Sequence, residues 1–312
     1  MKNSSGKKRR FDFLTFFLVA ILVIGVGVMA YPTFSDYWNS FHQSEAVASY
    51  IEEVEDLTTE EYATILEEAQ EYNEYLAAKD NQWDWDEEEE EWYYSLLKVG
   101  TSSVVATIEI PSVDISLPIY LGTSEGVLQI GVGHVEGTSL PIGGKGTHAV
   151  LSGHRGLVSA KLFTDLAKVV EGDLFYINVL NETLTYEVDQ ILTVVPEDVS
   201  ALEIDPDEDY VTLVTCTPYG VNTHRLLVRG HRVDTPEGTS TAVATGEATV
   251  VSKILVAPFI GVPVLVILFL AVMLRPAKKE KKEDKEQMER EMRIYLKRKN
   301  RTRQKDKNND AD

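Results

Sequence analysis

Cysteine is nearly missing from this chain: Cys216 is the only one in 312 residues. One thiol excludes an internal disulfide framework, and with no second cysteine or His-x-x-x-His pair beside it, a zinc site of the usual spacing is excluded too. Basic side chains are scarce between residues 32 and 253, where 40 acidic residues meet 10 basic ones. That balance excludes nucleic-acid binding by this stretch. No Leu-Pro-x-Thr-Gly precedes the second apolar run, and the tail to Asp312 is too long for a wall-sorting signal, so the chain is not itself read as a sorted substrate. Nothing implies a cofactor.

Two charge-free apolar runs are present. The first, Phe13 to Tyr31, follows Lys7, Lys8, Arg9 and Arg10. It is long enough to span a bilayer, and the basic flank keeps residues 1–10 in the cytoplasm. A cleaved signal peptide ending near Val28-Met29-Ala30 is the competing reading, but the apolar core is longer than such peptides carry, so residues 11–31 are expected to be an uncleaved anchor. The second run, 254–274, precedes Arg275, Lys278, Lys279, Lys281 and Lys282. It is expected to return the chain to a basic cytoplasmic tail, 275–312, attracted to anionic lipid. Both termini are then cytoplasmic, and everything between the spans lies outside the cell. In that compartment an unpaired cysteine points to a reactive group or an intermolecular bridge, the plainer alternative being a buried small hydrophobe.

Residues 32–99 read as an extracellular helical segment. Val47, Tyr50, Ile51, Val54 and Leu57 recur at helical steps over 43–57. Thr58 and Glu61 form a capping-box signature for a second helix with Tyr62, Ile65, Leu66, Ala69, Tyr72 and Leu76 on its buried face. The acidic stretch 80–91, DNQWDWDEEEEE, breaks this pattern. Its Trp83 and Trp85 are either packing anchors or part of a movable lid. From residue 100 to 233 short β-rich runs alternate with turn residues: 104–111, 115–120, 147–152, 174–180, 184–195, 210–216 and 224–232. This texture predicts a mainly β, closed or nearly closed barrel. Residues 234–253 read as a linker.

The stretch Val211–Gly230, VTLVTCTPYGVNTHRLLVRG, is hairpin-like, with Cys216 at one rim and Arg225 at the other. A thiol working near neutral pH needs a base or a cation beside it, and a reacting carbonyl needs donors for its oxygen. Among six histidines, His154 stands out in SGHRG, between glycines that allow a sharp turn. His134, in VGHVEG, is its rival, and composition does not separate them. Arg225 and Arg229 share a strand face by parity, which shortlists both.

TLVTC followed by arginine, with SGHRG upstream, resembles the sortase family of Gram-positive cysteine transpeptidases. The strings GTSEGVLQIGVGHVEGTSLPIGG, LSGHRGL, AKLFTDL and TLVTCTPYGVNTHRLLVRGHR are similar to its class C, the pilus-assembling sortases, over roughly residues 95–233. The resemblance implies an eight-stranded sortase-type β-barrel, Cys216 as nucleophile, His154 as general acid/base and Arg225 as the substrate-binding, oxyanion-stabilising residue, leaving Arg229 a structural one. Class C members carry a lid with an Asp-Pro-aromatic motif over the cysteine. This chain reads Trp83-Asp84-Trp85-Asp86 without proline, so Asp84 and Trp85 are the best match and Trp83 the rival. The implied partners are the membrane and pilin subunits with LPxTG-like signals, the acceptor being a pilin lysine. A wall-anchoring sortase using a peptidoglycan precursor amine, and a non-catalytic surface module, are the alternatives.

Overall fold

The apolar run and the amphipathic segment after it form one helix, α1 (Phe13–Glu55), in the computed structural model, which describes residues 13–236 and 286–299. The sequence pattern presents these as two elements. They merge because the only helix breaker between them is Pro32, which α1 accommodates internally. Among the described residues this is the one helix long and apolar enough to cross a membrane. The expected second span 254–274 lies outside the described residues, as do residues 1–10, most of the linker 234–253 and most of the tail. A separate unit contains a helix over 286–299 with every residue exposed.

The second helix, α2 (Thr59–Ala77), starts at the capping box. Thr58 Oγ1 accepts from the Glu61 N–H at 3.2 Å, and Glu61 Oε2 accepts from the Thr58 N–H at 2.9 Å. Both otherwise lack a helical partner. Its buried side chains include Ala69, Tyr72 and Leu76. The acidic run, expected to break helical structure, instead contains the short helix α3 (Glu87–Tyr93). Asp86 caps it by accepting from the N–H groups of Glu88 and Glu89 at 2.9 and 3.0 Å, and four glutamates in its first turn lie at the positive end of the helix dipole.

Eight strands follow: β1 (Val104–Ile110), β2 (Ile115–Leu121), β3 (Val132–His134), β4 (Thr147–Ser152), β5 (Leu174–Val179), β6 (Glu182–Val194), β7 (Asp209–Thr217) and β8 (His224–Val233), with α4 (Glu125–Ile130) between β2 and β3. They close in the order β1-β2-β3-β4-β7-β8-β6-β5. Pairs β2–β3 and β4–β7 are parallel and the rest antiparallel. Seven strands coincide with the runs read from the sequence. The eighth, β3, has three residues, too few for an alternation to register. Leu213, Val211, Leu226, Val228, Ala149, Leu151 and Phe175 fill the interior.

The helical segment is fastened to the barrel by polar contacts as well as by packing. Tyr50 Oη donates to the Val105 carbonyl at 2.9 Å and accepts from the Leu180 N–H at 2.8 Å. His134, fully buried on β3, joins α3 to the barrel: its Nδ1 accepts from Tyr93 Oη at 2.8 Å, and its Nε2 N–H donates to the Ser139 carbonyl at 2.7 Å. The first contact needs the neutral ring, since a protonated Nδ1 cannot accept, and burial pushes the pKa from 6.5 down to about 4. The unfolded chain therefore binds a proton at His134 that the folded chain refuses, so the stability this residue supports falls as pH drops from about 6.5 toward 4. The loss at pH 5 is about 2 kcal/mol. Urea titrations of the wild type and His134→Gln at pH 7 and pH 5 are expected to show a smaller acid-induced loss in the variant, by about that amount.

Candidate active site

Two of the side chains singled out in the sequence meet at the end of one strand pair. Cys216 and Arg225 are direct partners in the β7–β8 ladder, and opposed residues in an antiparallel pair project from the same face. On its other side Arg225 pairs with Val194 of β6. Alternation along β7 puts Leu213 and Thr215 inward, almost fully buried, and Val214 and Cys216 outward. The thiol is half-buried and unpaired on the outer wall of the barrel.

His154 reaches this wall through the parallel pairing of β4 with β7, in which Ser152 is level with Val214. The next residue, Gly153, is held from both sides: its N–H donates to the Val214 carbonyl at 3.0 Å, and its carbonyl accepts from Thr215 Oγ1 at 2.7 Å. His154 follows as the next residue, beyond the paired part of β4. A Cβ on Gly153 would stand 2.7 Å from the Phe163 ring, so this turn requires glycine. The His154 carbonyl accepts from the Phe163 N–H at 3.0 Å, the ring is partly exposed, and Nε2 stands 4.0 Å from Glu125 Oε2 at the start of α4. The Arg225 guanidinium donates to the carbonyls of Asn222 and His224 at 3.4 and 3.3 Å, turning back over the β7–β8 turn.

The rivals are accounted for elsewhere. His134 is buried in the Tyr93–Ser139 network. Arg229 makes a two-pronged ion pair with Asp189 at 3.0 and 2.8 Å and lies 4.2 Å from the Tyr210 ring centre.

Beside the thiol lies an apolar floor, distinct from the barrel interior, made by Val150, Val214, Leu227, Leu192 and Val194. The loop after β6 walls it with Val199, Ala201 and Leu202, and Trp83 packs on the same cluster. His148 pins wall to floor: Nδ1 contacts the Glu203 carbonyl at 2.8 Å and Nε2 contacts Thr212 Oγ1 at 2.7 Å. Burial lowers its pKa. Gln82 holds the Trp83 segment, donating to the Gly137 and Leu202 carbonyls at 3.1 and 3.4 Å and accepting from the Ile204 N–H at 3.1 Å.

The lid expectation shifts accordingly. Trp85 packs edge-on against Tyr93, ring centres 5.4 Å apart, and joins the main core. Asp84 is exposed, its carbonyl accepting from the Lys79 ammonium. Trp83, the sequence rival, is the ring beside the groove. Sequence reasoning also passed over Gln82, His148 and Arg155. Arg155 donates from Nη1 to Thr217 Oγ1 at 3.1 Å and lies 5.9 Å from the Tyr219 ring centre, tying the histidine loop to the end of the cysteine strand. Its signal was its place inside SGHRG. Gln82 and His148 left none, since a glutamine in an acidic loop and a histidine in a strand are unremarkable.

The arrangement is a thiol and a guanidinium paired across two strands, an imidazole on the loop next to them, and an apolar cluster on the outer wall of the barrel beside them. A family model described as the sortase domain matches residues 108–233. Sortase A of Streptococcus agalactiae serotype III is 33% identical over 150 residues, 46% of this chain and 60% of that protein. The match thus spans less than two thirds of that relative. Sortase D of Bacillus subtilis is 30% identical over 139 residues, 44% of this chain and 67% of that protein. The crystal structure of sortase C1 from Streptococcus agalactiae superposes with a TM-score of 0.60 at 49% identity, covering 62% of this chain and all of that one.

Because Trp83 and Trp85 pack in different places, their truncations separate. Trp83→Ala is expected to raise the rate of Cys216 modification by a methanethiosulfonate reagent about tenfold, the equivalent of about 1.4 kcal/mol of lost packing. Trp85→Ala is expected to leave that rate within about twofold and to lower stability by about 2 kcal/mol.

Proposed function

The chain belongs to the sortase family, and from that premise we propose that it is a class C, pilin-polymerising cysteine transpeptidase acting on the outer face of the cell membrane. The observation that carries this reading is the pairing of Cys216 with Arg225 across β7–β8 while Gly153 is locked to Val214 and Thr215 one residue before His154.

The substrate is an LPxTG-like sorting signal lying extended in the groove. The Cys216 thiolate adds to the threonine carbonyl carbon, forming a C–S bond and moving charge onto the carbonyl oxygen, where the Arg225 guanidinium donates. Collapse breaks the Thr–Gly C–N bond, and the glycine nitrogen leaves with a proton from His154. The thioester remains on Cys216. A lysine ε-amine of another pilin subunit adds to it, its proton passes to His154, and the thiolate departs, leaving an isopeptide bond. Trp83 is the lid ring in this reading, standing over the apolar end of the groove. The sortase C1 neighbour, similar over its whole length, supports the class assignment.

A purified full-length chain given a fluorescent sorting-signal peptide together with either a lysine-bearing pilin domain or a lipid-linked wall precursor tests the reading. Product is expected with the pilin lysine. Product with the wall precursor alone would make the chain a wall-anchoring sortase, and no trapped thioacyl adduct with either would leave a binding module. Cys216→Ala is expected to abolish the adduct, and Arg225→Lys to lower kcat/KM by about 10²–10³-fold, the loss typical of an oxyanion donor.

A further inference from the structure

Helix α1 carries an aromatic stripe that the catalytic reading leaves unused. Tyr31, Phe34, Trp38 and Phe41 are 57%, 49%, 55% and 58% exposed, and their spacing of three, four and three residues keeps them on one side of a helix. Phe34 stacks with Trp38, and Trp38 packs on His42 with ring centres 4.8 Å apart. Further along the same side the residues turn acidic, with Glu45 and Glu52. Roughly opposite lies the barrel-facing side. There Asp36 Oδ1 accepts from the Lys161 N–H at 2.9 Å, Asn39 Nδ2 donates to the Ser159 carbonyl at 2.9 Å, and Gln43 Nε2 donates to the Ile130 carbonyl at 3.0 Å. Two of these three bonds go to the loop that leaves His154.

We propose that this stripe is an interfacial docking surface that lies in the outer headgroup layer of the bilayer and holds the mouth of the active site against the membrane. The occupant follows from continuity: the stripe is the uninterrupted continuation of the apolar run Phe13–Tyr31 within α1. Its exposed aromatics are flanked by Ser35 and His42, which suits a layer that is apolar on one side and wet on the other and does not suit hydrocarbon. If Tyr31 marks the hydrocarbon boundary, Trp38 and Phe41 stand about 10 and 15 Å beyond it along the axis, more than a headgroup layer about 5–8 Å thick, so the stripe stays at that layer with α1 inclined to the bilayer normal and its aromatic side turned down. Glu45 and the acidic residues after it are then in water. Because α1 is bonded to residues 159 and 161, the His154 loop is held at the same height. Val158 on that loop is 61% exposed, adding an apolar contact there.

The consequence rests on the transpeptidase reading: the stripe favours substrates whose scissile segment emerges just above a membrane anchor, because it confines the cleft to that layer. Depth is tested independently of activity. In a Cys216→Ser background, Trp38→Cys and Glu52→Cys are spin-labelled in the full chain reconstituted in phosphatidylglycerol/phosphatidylcholine nanodiscs, and collision with oxygen and with an aqueous nickel chelate is measured. The label at 38 is expected at headgroup depth, shielded from nickel and open to oxygen, and the label at 52 open to nickel. Equal nickel access at both positions overturns the proposal. Shielding from both reagents at 38 also overturns it, because it means packing on protein, whether a second copy or another span.

Activity is measured on the otherwise native chain. Phe34→Ser/Trp38→Ser/Phe41→Ser is expected to slow cleavage of a sorting signal anchored in the same vesicle about tenfold while leaving cleavage of the soluble peptide unchanged. Equal slowing of both substrates, or of neither, contradicts the docking role. If the native chain cleaves neither substrate, the transpeptidase reading falls and the depth measurement alone decides the stripe.

Discussion

The parallel pairing of β4 with β7 is the constraint on which the rest of this molecule depends. Parallel neighbours cannot be joined by a tight turn, so the chain travels from β4 through β5 and β6 before β7 returns beside it. That detour makes the site composite. The histidine arrives at the end of β4, the thiol and guanidinium arrive on the β7–β8 hairpin, and β6, reached between them, flanks β8 beside Arg225. Gly153 closes the arrangement, because its two backbone bonds to β7 leave the following residue little freedom.

The same strand serves two environments. Leu213 and Thr215 are inside, Val214 and Cys216 outside, so the alternation that builds the core also sets the thiol in a groove. The groove is kept in shape by contacts that avoid the reacting groups. His148 fixes the loop after β6 to β7, and Arg229 with Asp189 and Tyr210 braces β8 against β6 and β7. Each is a buried or half-buried polar contact with its partners satisfied, the kind that fixes a single geometry without adding much net stability.

Much of this was legible in the sequence because its signals are local. Seven strands showed as β-rich runs between turn residues, the capping box marked the start of α2, and the Cys-turn-Arg hairpin was visible in one stretch of twenty residues. What stayed hidden depends on long-range register. Arg225 and Arg229 have the same parity, and only the ladder shows which stands opposite Cys216 and which meets Asp189. His134 and His154 both follow a glycine in the sequence, and only the fold divides them, placing one buried on β3 and the other partly exposed on a loop. Trp83 and Trp85 are two residues apart in a chain with no periodicity there. Their fates follow from Gln82 finding three backbone partners and Tyr93 offering a ring face, neither of which a sequence pattern encodes. The continuity of α1 was missed because a change from apolar to amphipathic composition resembles a boundary, although the backbone has no reason to stop.

The helical segment and the groove are joined in a way that separates rigidity from access. The Trp83 segment is held to the groove by the Gln82 side chain and by its own packing, while its two flanks are held by α2 and α3. None of the contacts that position Cys216, Arg225 or Gly153 involves residues 80–86. Lifting the segment would therefore break the Gln82 bonds to Leu202 and Ile204 but none of the bonds that hold the β7–β8 pair. The segment must give up a half-buried indole and three hydrogen bonds to move, a sum of a few kcal/mol. On the proposed transpeptidase reading, a peptide laid along Val150, Val214 and Leu227 would compete for the apolar surface on which Trp83 packs. On that reading, entry to this surface would depend on the peptide that fits it, with the β7–β8 pairing of Cys216 and Arg225 unchanged.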